Sequence, residues 1–548
     1  MSLSLLYRYT VFALCVLFTL VTLPIHTGHL PGLPFGIYLP RLGLLTLLSA
    51  ALSLLGIYDL LQKRHAVRRN YPVIGNIRYL MESIRPEIRQ YLLEGDREAL
   101  PFSRAQRSMV YARAKEENAD KAFGTLVDVY EHGYEFMTHS MVPAKPADPA
   151  TFRVRVGGPA CRQPYEASVF NISAMSFGSL SANAIRALNK GAKRGGFYHD
   201  TGEGSISPYH LEYGADLVWE IGSGYFGCRN EDGTFSPERF TEQASRPEVK
   251  MIEIKLSQGA KPGHGGILPK HKISAEIAAT RGIPMGKDCI SPSSHSAFGT
   301  PIELLQFIDR LRELSGGKPV GFKLCIGHPW EFTAIAKAIL KTGIMPDFIV
   351  VDGGEGGTGA APSEFSDHLG VPLREALLFV HNTLVGINVR QHIRLGASGK
   401  IISAFDIASI LAIGADWTNS ARGFMMAIGC IQSQSCHTNQ CPTGVATQDP
   451  LRQRALVVED KGDRVYNFHH NTLHALTELL AAAGLTHPDG LTPRHLAKRI
   501  SDTEVRNYLQ LQVYLKPGEL LEGKIQYEFY EHMWNLAQAE SFAENPAA

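Results

Sequence analysis

The sequence has almost no surplus of charge: 54 lysines and arginines face 53 aspartates and glutamates over 548 residues, a formal net charge of +1. Nothing global therefore draws it to a polyanion, and no nucleic-acid partner is expected. No G-x-G-x-x-G opens the first strand–helix unit, which counts against a dinucleotide-binding Rossmann fold. No other NAD(P)H-binding signature is visible. Cysteine is scarce: of eight, Cys15, Cys161, Cys228, Cys289 and Cys325 lie far apart, and only Cys430, Cys436 and Cys441 crowd together. Long apolar runs are missing after the first sixty residues. With 44% hydrophobic and 20% charged residues the chain is neither disordered nor collagenous, and it buries a core.

The first sixty residues differ from the rest. Thr10 to Ile25 and Leu42 to Tyr58 carry no charge, and Asp59 ends the second run. A spanning helix needs roughly 17–25 apolar residues, so residues 1–66 are expected to form a two-helix membrane anchor touching lipid. A cleaved signal is the alternative for the first run, although Pro24-Ile25-His26-Thr27 is a poor cleavage site. Lys63, Arg64, Arg68 and Arg69 follow the second run, while the loop between the runs has only Arg41. The positive-inside rule then puts the body on the cytoplasmic face of the inner membrane. Residues 67–166 read as polar and helical, with helices over Pro86–Leu93 and Ala105–Lys121. Residues 449–548 also read as helical, over Asn471–Ala483 and Pro493–Ile500.

Between Ala167 and Cys441 short β-rich runs alternate with helical patterns. Strands are expected at Val169–Met175, Gly196–His199, Met251–Leu256, Asp288–Ser291, Val320–Ile326, Asp347–Asp352, Arg394–Gly396 and Asp416–Ala421. The alternation matches an α/β fold, a (β/α)₈ TIM barrel over residues 167–448, with a doubly wound open sheet as the alternative. Barrel sites lie on the loops after the strands. Here those loops are Ser173-Ala174-Met175-Ser176-Phe177-Gly178, Asp200-Thr201-Gly202-Glu203-Gly204, Lys255–Gly263, Ser291-Pro292 and Asp352–Gly359, then Gly396-Ala397-Ser398-Gly399 and Ala421-Arg422-Gly423. Glycine lets backbone N–H groups approach an anion, and arginine adds a bidentate charge, so the last two loops are a candidate phosphate site. Lys255, Lys261 and Lys323 stand where a barrel wants apolar residues, pointing to an anionic cofactor and an anionic substrate.

Cys430, Cys436 and Cys441 are spaced C-x5-C-x4-C and end in Cys441-Pro442. Cysteine before proline closes many iron–sulfur ligand runs. Three thiolates suit a 3Fe–4S cluster. Zinc completed by His437, or three unligated buried thiols, are the alternatives.

The blocks Ser173–Gly178, Thr201–Gly204, Lys255–Gly266, Asp352–Pro362 and Cys430–Gln448 resemble, in matching order, the FMN-binding synthase domain of glutamate synthase. The runs Gln258–Gly263 and Cys436–Gln448 are the most specific. The resemblance implies a barrel holding FMN beside a 3Fe–4S cluster, with FMN reducing the imine formed from 2-oxoglutarate and ammonia. It implies that Lys255, Lys261 and Arg281 meet a dicarboxylate, that Lys323 lies near the flavin, and that Cys430, Cys436 and Cys441 ligate iron. Flavin contacts are then expected from Ser173, Ala174, Met175, Ser176, Gln258, Asp352, Gly354, Gly357, Thr358, Gly359, Ser398, Gly399, Arg422 and Gly423. Glu203 is the loop carboxylate placed to handle a proton or an ammonium, and with Lys255 and Lys261 completes the expected catalytic set.

Three departures stand out. The glutamine-using members begin with an amidotransferase domain on an N-terminal cysteine, whereas Met1-Ser2 opens an apolar hairpin, so ammonia is expected from outside. Ile267 replaces a glutamine that contacts 2-oxoglutarate, and His264 replaces a glutamate, which leaves the keto acid open. Residues 449–548 are too few for the β-helical domain of the long members. The leading expectation is a membrane-anchored oxidoreductase making glutamate from 2-oxoglutarate, fed by ferredoxin or a separate reductase. A related enzyme on another imine or keto acid, and a flavin electron carrier or redox sensor, are the alternatives.

Overall fold

The computed structural model describes residues 3–26, 40–98, 100–117, 122–523 and 525–546. These form two compact units, residues 1–104 and 105–548.

In the first unit the helices Leu3–His26 and Pro40–Leu61 pair through small polar side chains. Ser49 Oγ lies 2.6 Å from Thr19 Oγ1 and donates to the Cys15 carbonyl at 2.7 Å. Both helices are long and apolar enough to cross a membrane, over Arg8–Ile25 and Gly43–Leu61. Arg41 stands in the first turn of the second helix rather than in a loop. The loop between the helices, residues 27–39, lies outside the described residues, as does 118–121, the expected end of the Ala105–Lys121 helix. That helix is Arg104–Lys115. The expected Pro86–Leu93 helix is the end of a longer one, Gly75–Ile88, continued by a wider turn over Arg89–Leu93.

The second unit is built on a closed barrel of eight parallel strands in sequential order. The strands are Phe170–Ile172, His199–Asp200, Leu217–Ile221, Val249–Lys255, Val320–Leu324, Phe348–Asp352, Arg394–Ser398 and Trp417–Ser420. They are buried almost throughout because helices cover them outside and side chains fill them inside, and although Phe348–Asp352 is almost wholly apolar, His199–Asp200 and Trp417–Ser420 are mostly polar. Trp417 fills the interior, its ring lying where a Cβ on Gly396 would come within 2.6 Å. Its Nε1 donates to Tyr198 Oη at 2.8 Å, and Tyr198 in turn donates to Asn419 at 2.6 Å. Local signals place the outer helices. Ser181 caps Ala182–Gly195, and Thr300 with Glu303 closes a capping box before Pro301–Leu314. Pro329 opens, and left-handed Gly343 ends, the helix Pro329–Thr342.

Three expectations need correction. Asp288–Ser291 is not a barrel strand: Cys289–Ile290 pairs antiparallel with Ile267–Leu268, in a long excursion between the fourth and fifth strands. The missing third strand is Leu217–Ile221, whose Glu220 interrupts the apolar run and is buried because Lys323 neutralises it. Pro493–Ile500 is helical only over the short 3-10 turn Pro493–His495. Leu496–Arg499 pairs with Glu135–Met137 and Val505–Asn507, so cross-strand pairing overrides its helical composition. Residues 105–166 and 449–548 are thus only partly helical, and they pack with the barrel in one unit. The long helix Val458–Ala482 lies against Ala182–Gly195, with His469 Nε2 3.0 Å from the Phe170 carbonyl.

Candidate active site at the barrel mouth

The loops after the strands converge on the C-terminal face. The fourth-strand loop zips to the sixth-strand loop: Ala260 N–H donates to Gly354 at 3.0 Å and Gly259 N–H to Asp352 Oδ2 at 2.7 Å. A Cβ on Gly259 would sit 1.8 Å from the Gly353 carbonyl, so only glycine allows this approach. The second-strand loop abuts the first in the same way, with a Gly202 Cβ 2.7 Å from Ser176 N.

Two ionic groups occupy this end of the barrel. Glu203 accepts an ion pair from Lys255 Nζ at 3.1 Å, and the places where Gly222 and Gly266 would carry Cβ atoms are taken by its carboxylate oxygens. Burial raises the Glu203 carboxyl, but Lys255, Lys261 and Arg281 together pull it below its usual value. Lys261 is 8% exposed, and burial together with Lys255 holds its ammonium below its usual range. Arg281 is buried against Phe226 and donates to the Phe177 carbonyl at 3.2 Å, so it braces the first-strand loop while its charge acts on Glu203. Deeper, Lys323 Nζ pairs with Glu220 and, at 3.1 Å, with Glu253, and Asp200 lies beside them. Burial raises the Asp200 carboxyl to about 7 and Glu253 well above its usual range, while the carboxylates hold Lys323 protonated against its burial.

At the seventh and eighth strands Ser173 Oγ lies 3.3 Å from Ser398 Oγ. Arg422 donates to the Glu355 carbonyl at 2.8 Å, and a Gly357 Cβ would meet its guanidinium at 2.9 Å. Burial lowers Arg422 to about 10 against the pull of Asp352 and Glu355, and burial together with Arg422 lowers Lys400. Gly399 takes a φ of +155°, and Gly423 packs against Ser420 where a Cβ would come to 2.5 Å. Two crowded cations beside glycine backbone fit an anionic group such as a phosphate. Of the other expected flavin contacts, Ala174 and Gln258 are half-buried, Met175 and Gly354 are buried, and Thr358 and Gly359 stand on an outer, more open stretch.

Cys430, Cys436 and Cys441 share a loop with left-handed residues at Gly429, Gln432, Gln434, Asn439 and Gly444. Cys441 receives backbone N–H donors from Thr443, Val445 and Ala446; burial raises its thiol, but these donors pull it below its usual value. Gln432 N–H points at Cys430 Sγ from 3.4 Å. Burial raises Cys430 to about 12 and also raises Cys436. The loop is stitched to the first-strand loop by Gln448, which donates to Gly178 and Leu180, and by Lys272, which donates to Ser179 and Cys436. Donors aimed at sulfur suit thiolate ligands. His437 is exposed.

Two neighbours escaped the sequence reading. His295 joins Tyr225 Oη at 3.1 Å and the Lys255 carbonyl at 2.9 Å, and burial lowers it to about 4. Lys400 is the other. Only Lys400, next to Gly399, had a local signal.

A closed parallel barrel with its ionic groups gathered on the C-terminal face defines an α/β-barrel enzyme. A family model described as the conserved region in glutamate synthase matches residues 160–486. The glutamate synthase large subunit-like protein YerD of Bacillus subtilis is 39% identical over 491 residues, covering 82% of this chain and 93% of its own. The archaeal glutamate synthase (NADPH) of Methanocaldococcus jannaschii is 37% identical over 321 residues, 58% of this chain and 60% of its own. This chain therefore belongs to the glutamate synthase family of oxidoreductases. Against the glutamate synthase (NADPH) large chain of Bacillus subtilis it is 30% identical but spans only 22% of that protein. Among solved structures, a flavocytochrome b2 variant with sulfite bound aligns over 82% of this chain and 90% of its own, at 12% identity and a TM-score of 0.39.

Proposed function

We propose that the chain is a glutamate synthase-type flavin and iron–sulfur oxidoreductase that reductively aminates 2-oxoglutarate, or a related keto acid, with externally supplied ammonia. Ferredoxin or a separate reductase delivers the electrons. The charge balance at the mouth carries this reading. Lys255, Lys261 and Arg281 against Glu203 leave two positive charges, which a dicarboxylate neutralises.

In this reading Lys255 and Lys261 bind and orient the carboxylates, and Arg281 holds the first-strand loop in place. Glu203, kept anionic by its cations, attracts the ammonium or iminium and takes up a proton there. Ser398-Gly399 and Arg422-Gly423, with Lys400, would hold the phosphate of FMN, which supplies hydride chemistry when bound. Lys323, kept cationic by Glu220 and Glu253, provides fixed positive charge near it. Cys430, Cys436 and Cys441 would hold a 3Fe–4S cluster, with loop N–H groups stabilising the Cys430 and Cys441 thiolates. The helical hairpin crosses the cytoplasmic membrane, with Lys63, Arg64, Arg68 and Arg69 on the cytoplasmic side.

One observation favours a second substrate. Ile267 is 46% exposed, pairs with Ile290 and offers no side-chain hydrogen bond, which suits a keto acid or imine with an apolar arm.

Cofactor analysis of anaerobically purified protein tests the reading. FMN with about three irons per chain supports it; one zinc, or no metal, removes the cluster. Cys436→Ser should lose the iron yet keep the flavin, because serine oxygen is too hard a ligand for this core. A reporter inserted between residues 28 and 39 should lie outside the cytoplasm; finding it inside overturns the orientation.

A further inference from the structure

The helix that follows the hairpin carries an apolar face that nothing in the described structure covers. Ile77, Leu80, Met81 and Ile84 are exposed by 55%, 57%, 50% and 37%. Ile88 and Tyr91 continue the row, Tyr91 at 55% exposure. From Ile77 to Ile88 the spacing i, i+3, i+4, i+7, i+11 is one continuous stripe of a 3.6-residue helix, and Tyr91 follows on the wider turn. Arg78, Arg85 and Arg89 fall together along one edge of it, where long cationic side chains reach from an apolar layer to a polar one. Between residues 62 and 90 there are seven lysines and arginines (63, 64, 68, 69, 78, 85, 89) and two glutamates (82, 87).

The direction of this helix is fixed. Asp59, fully buried near the end of the second apolar helix, accepts from Val73 N–H at 3.0 Å and from Asn76 Nδ2 at 2.6 Å. Arg68 stacks on Tyr79 at 4.3 Å, and Gly75 passes so close that a Cβ would lie 3.1 Å from Arg68 Cα. The short segment between the two helices is therefore a built corner.

We propose that residues 74–93 form an interfacial helix lying on the membrane surface, its Ile77–Leu80–Met81–Ile84–Ile88 face in the acyl boundary and its arginines on anionic lipid headgroups. The proposal rests on the hairpin being a membrane anchor and adds a second, in-plane attachment. A helix with a cationic edge and an apolar stripe binds such a surface through buried area plus attraction to anionic lipid. The charge excess selects this occupant over a second copy of the same cationic helix, which would be repelled.

The test uses the full chain in vesicles containing phosphatidylglycerol, with an environment-sensitive fluorescent amino acid placed singly at Leu47, Leu80, Ile84 or, on the opposite face, Glu82. Lipids brominated high on the acyl chain should quench the probes at 80 and 84 strongly and leave the probe at 82 nearly unchanged. Replacing phosphatidylglycerol by a zwitterionic lipid should reduce quenching at 80 and 84 but not at 47. Quenching at 47 without quenching at 80 and 84 overturns the interfacial helix and leaves the anchor standing. No quenching at 47 overturns the anchor itself. Probes at 80 and 84 shielded from a water-soluble quencher yet untouched by brominated lipid mean that protein covers the face, which also overturns the proposal.

Discussion

Lys255 and Lys323 sit opposite each other on adjacent strands, in register, and their surroundings differ completely. Lys323 turns into the barrel, where Glu220, Glu253 and Asp200 outnumber it and burial pushes Glu253 and Asp200 toward their protonated forms. Lys255 turns to the mouth, where cations outnumber the single carboxylate Glu203. The interior group is nearly self-neutralising, and so behaves as structure and as fixed electrostatics. The mouth group is left positive and crowded, and so asks for an anion. The same residue type, on the two sides of one register pair, is satisfied by the fold in one case and left asking for a ligand in the other.

The comparison breaks most visibly if Lys323 is removed. Lys323→Met leaves buried carboxylates without their cation, and losing one partner of a buried pair costs about 3–5 kcal/mol. The urea midpoint should fall steeply, and adding Glu220→Gln should recover part of it; an unchanged midpoint would show that protons alone balance the cluster. At the phosphate corner Arg422→Glu sets a like charge against the anion, and the protein should purify colourless. A fully yellow variant contradicts the assignment. At the mouth, Lys255→Met removes a charged contact worth about 1.5–3 kcal/mol, so 2-oxoglutarate should bind roughly tenfold to a hundredfold more weakly with stability little changed. The smallest effect is on pH. Lys261 has a depressed value, and a bound dianion favours its charged form. Affinity should be complete below that value and fall as pH rises through it, and Lys261→Arg should flatten the profile, because guanidinium stays charged. Binding that strengthens with alkaline pH would exclude Lys261 as an anchor.

Much of this was legible in the chain. Glycine and lysine loops after apolar runs located the mouth, and Lys255, Lys261, Glu203 and Arg422 all lie on it. The third strand was hidden because Glu220 reads as a surface residue until Lys323 arrives from a strand about a hundred residues later. The 267–268/289–290 hairpin was mistaken for a barrel strand because a two-residue β-run has the same local composition in either place. His295 gave no signal, since its role depends on a fold-back to the Lys255 carbonyl. Pro493–Ile500 failed for the same reason: its partner Glu135–Met137 lies some 360 residues earlier. Local pattern finds elements, and only tertiary pairing decides those that pattern leaves ambiguous.

The central claim is that the positive mouth receives a dicarboxylic keto acid to be aminated. It is tested most directly by reducing the purified, flavin-loaded protein anaerobically and following the flavin absorbance as 2-oxoglutarate and ammonium are added. The account predicts that the oxidised flavin spectrum returns with both together, with glutamate formed in step, and that Lys255→Met slows this strongly. A reduced flavin that stays reduced with 2-oxoglutarate, its relatives and ammonium would contradict the account and leave a flavin electron carrier in its place.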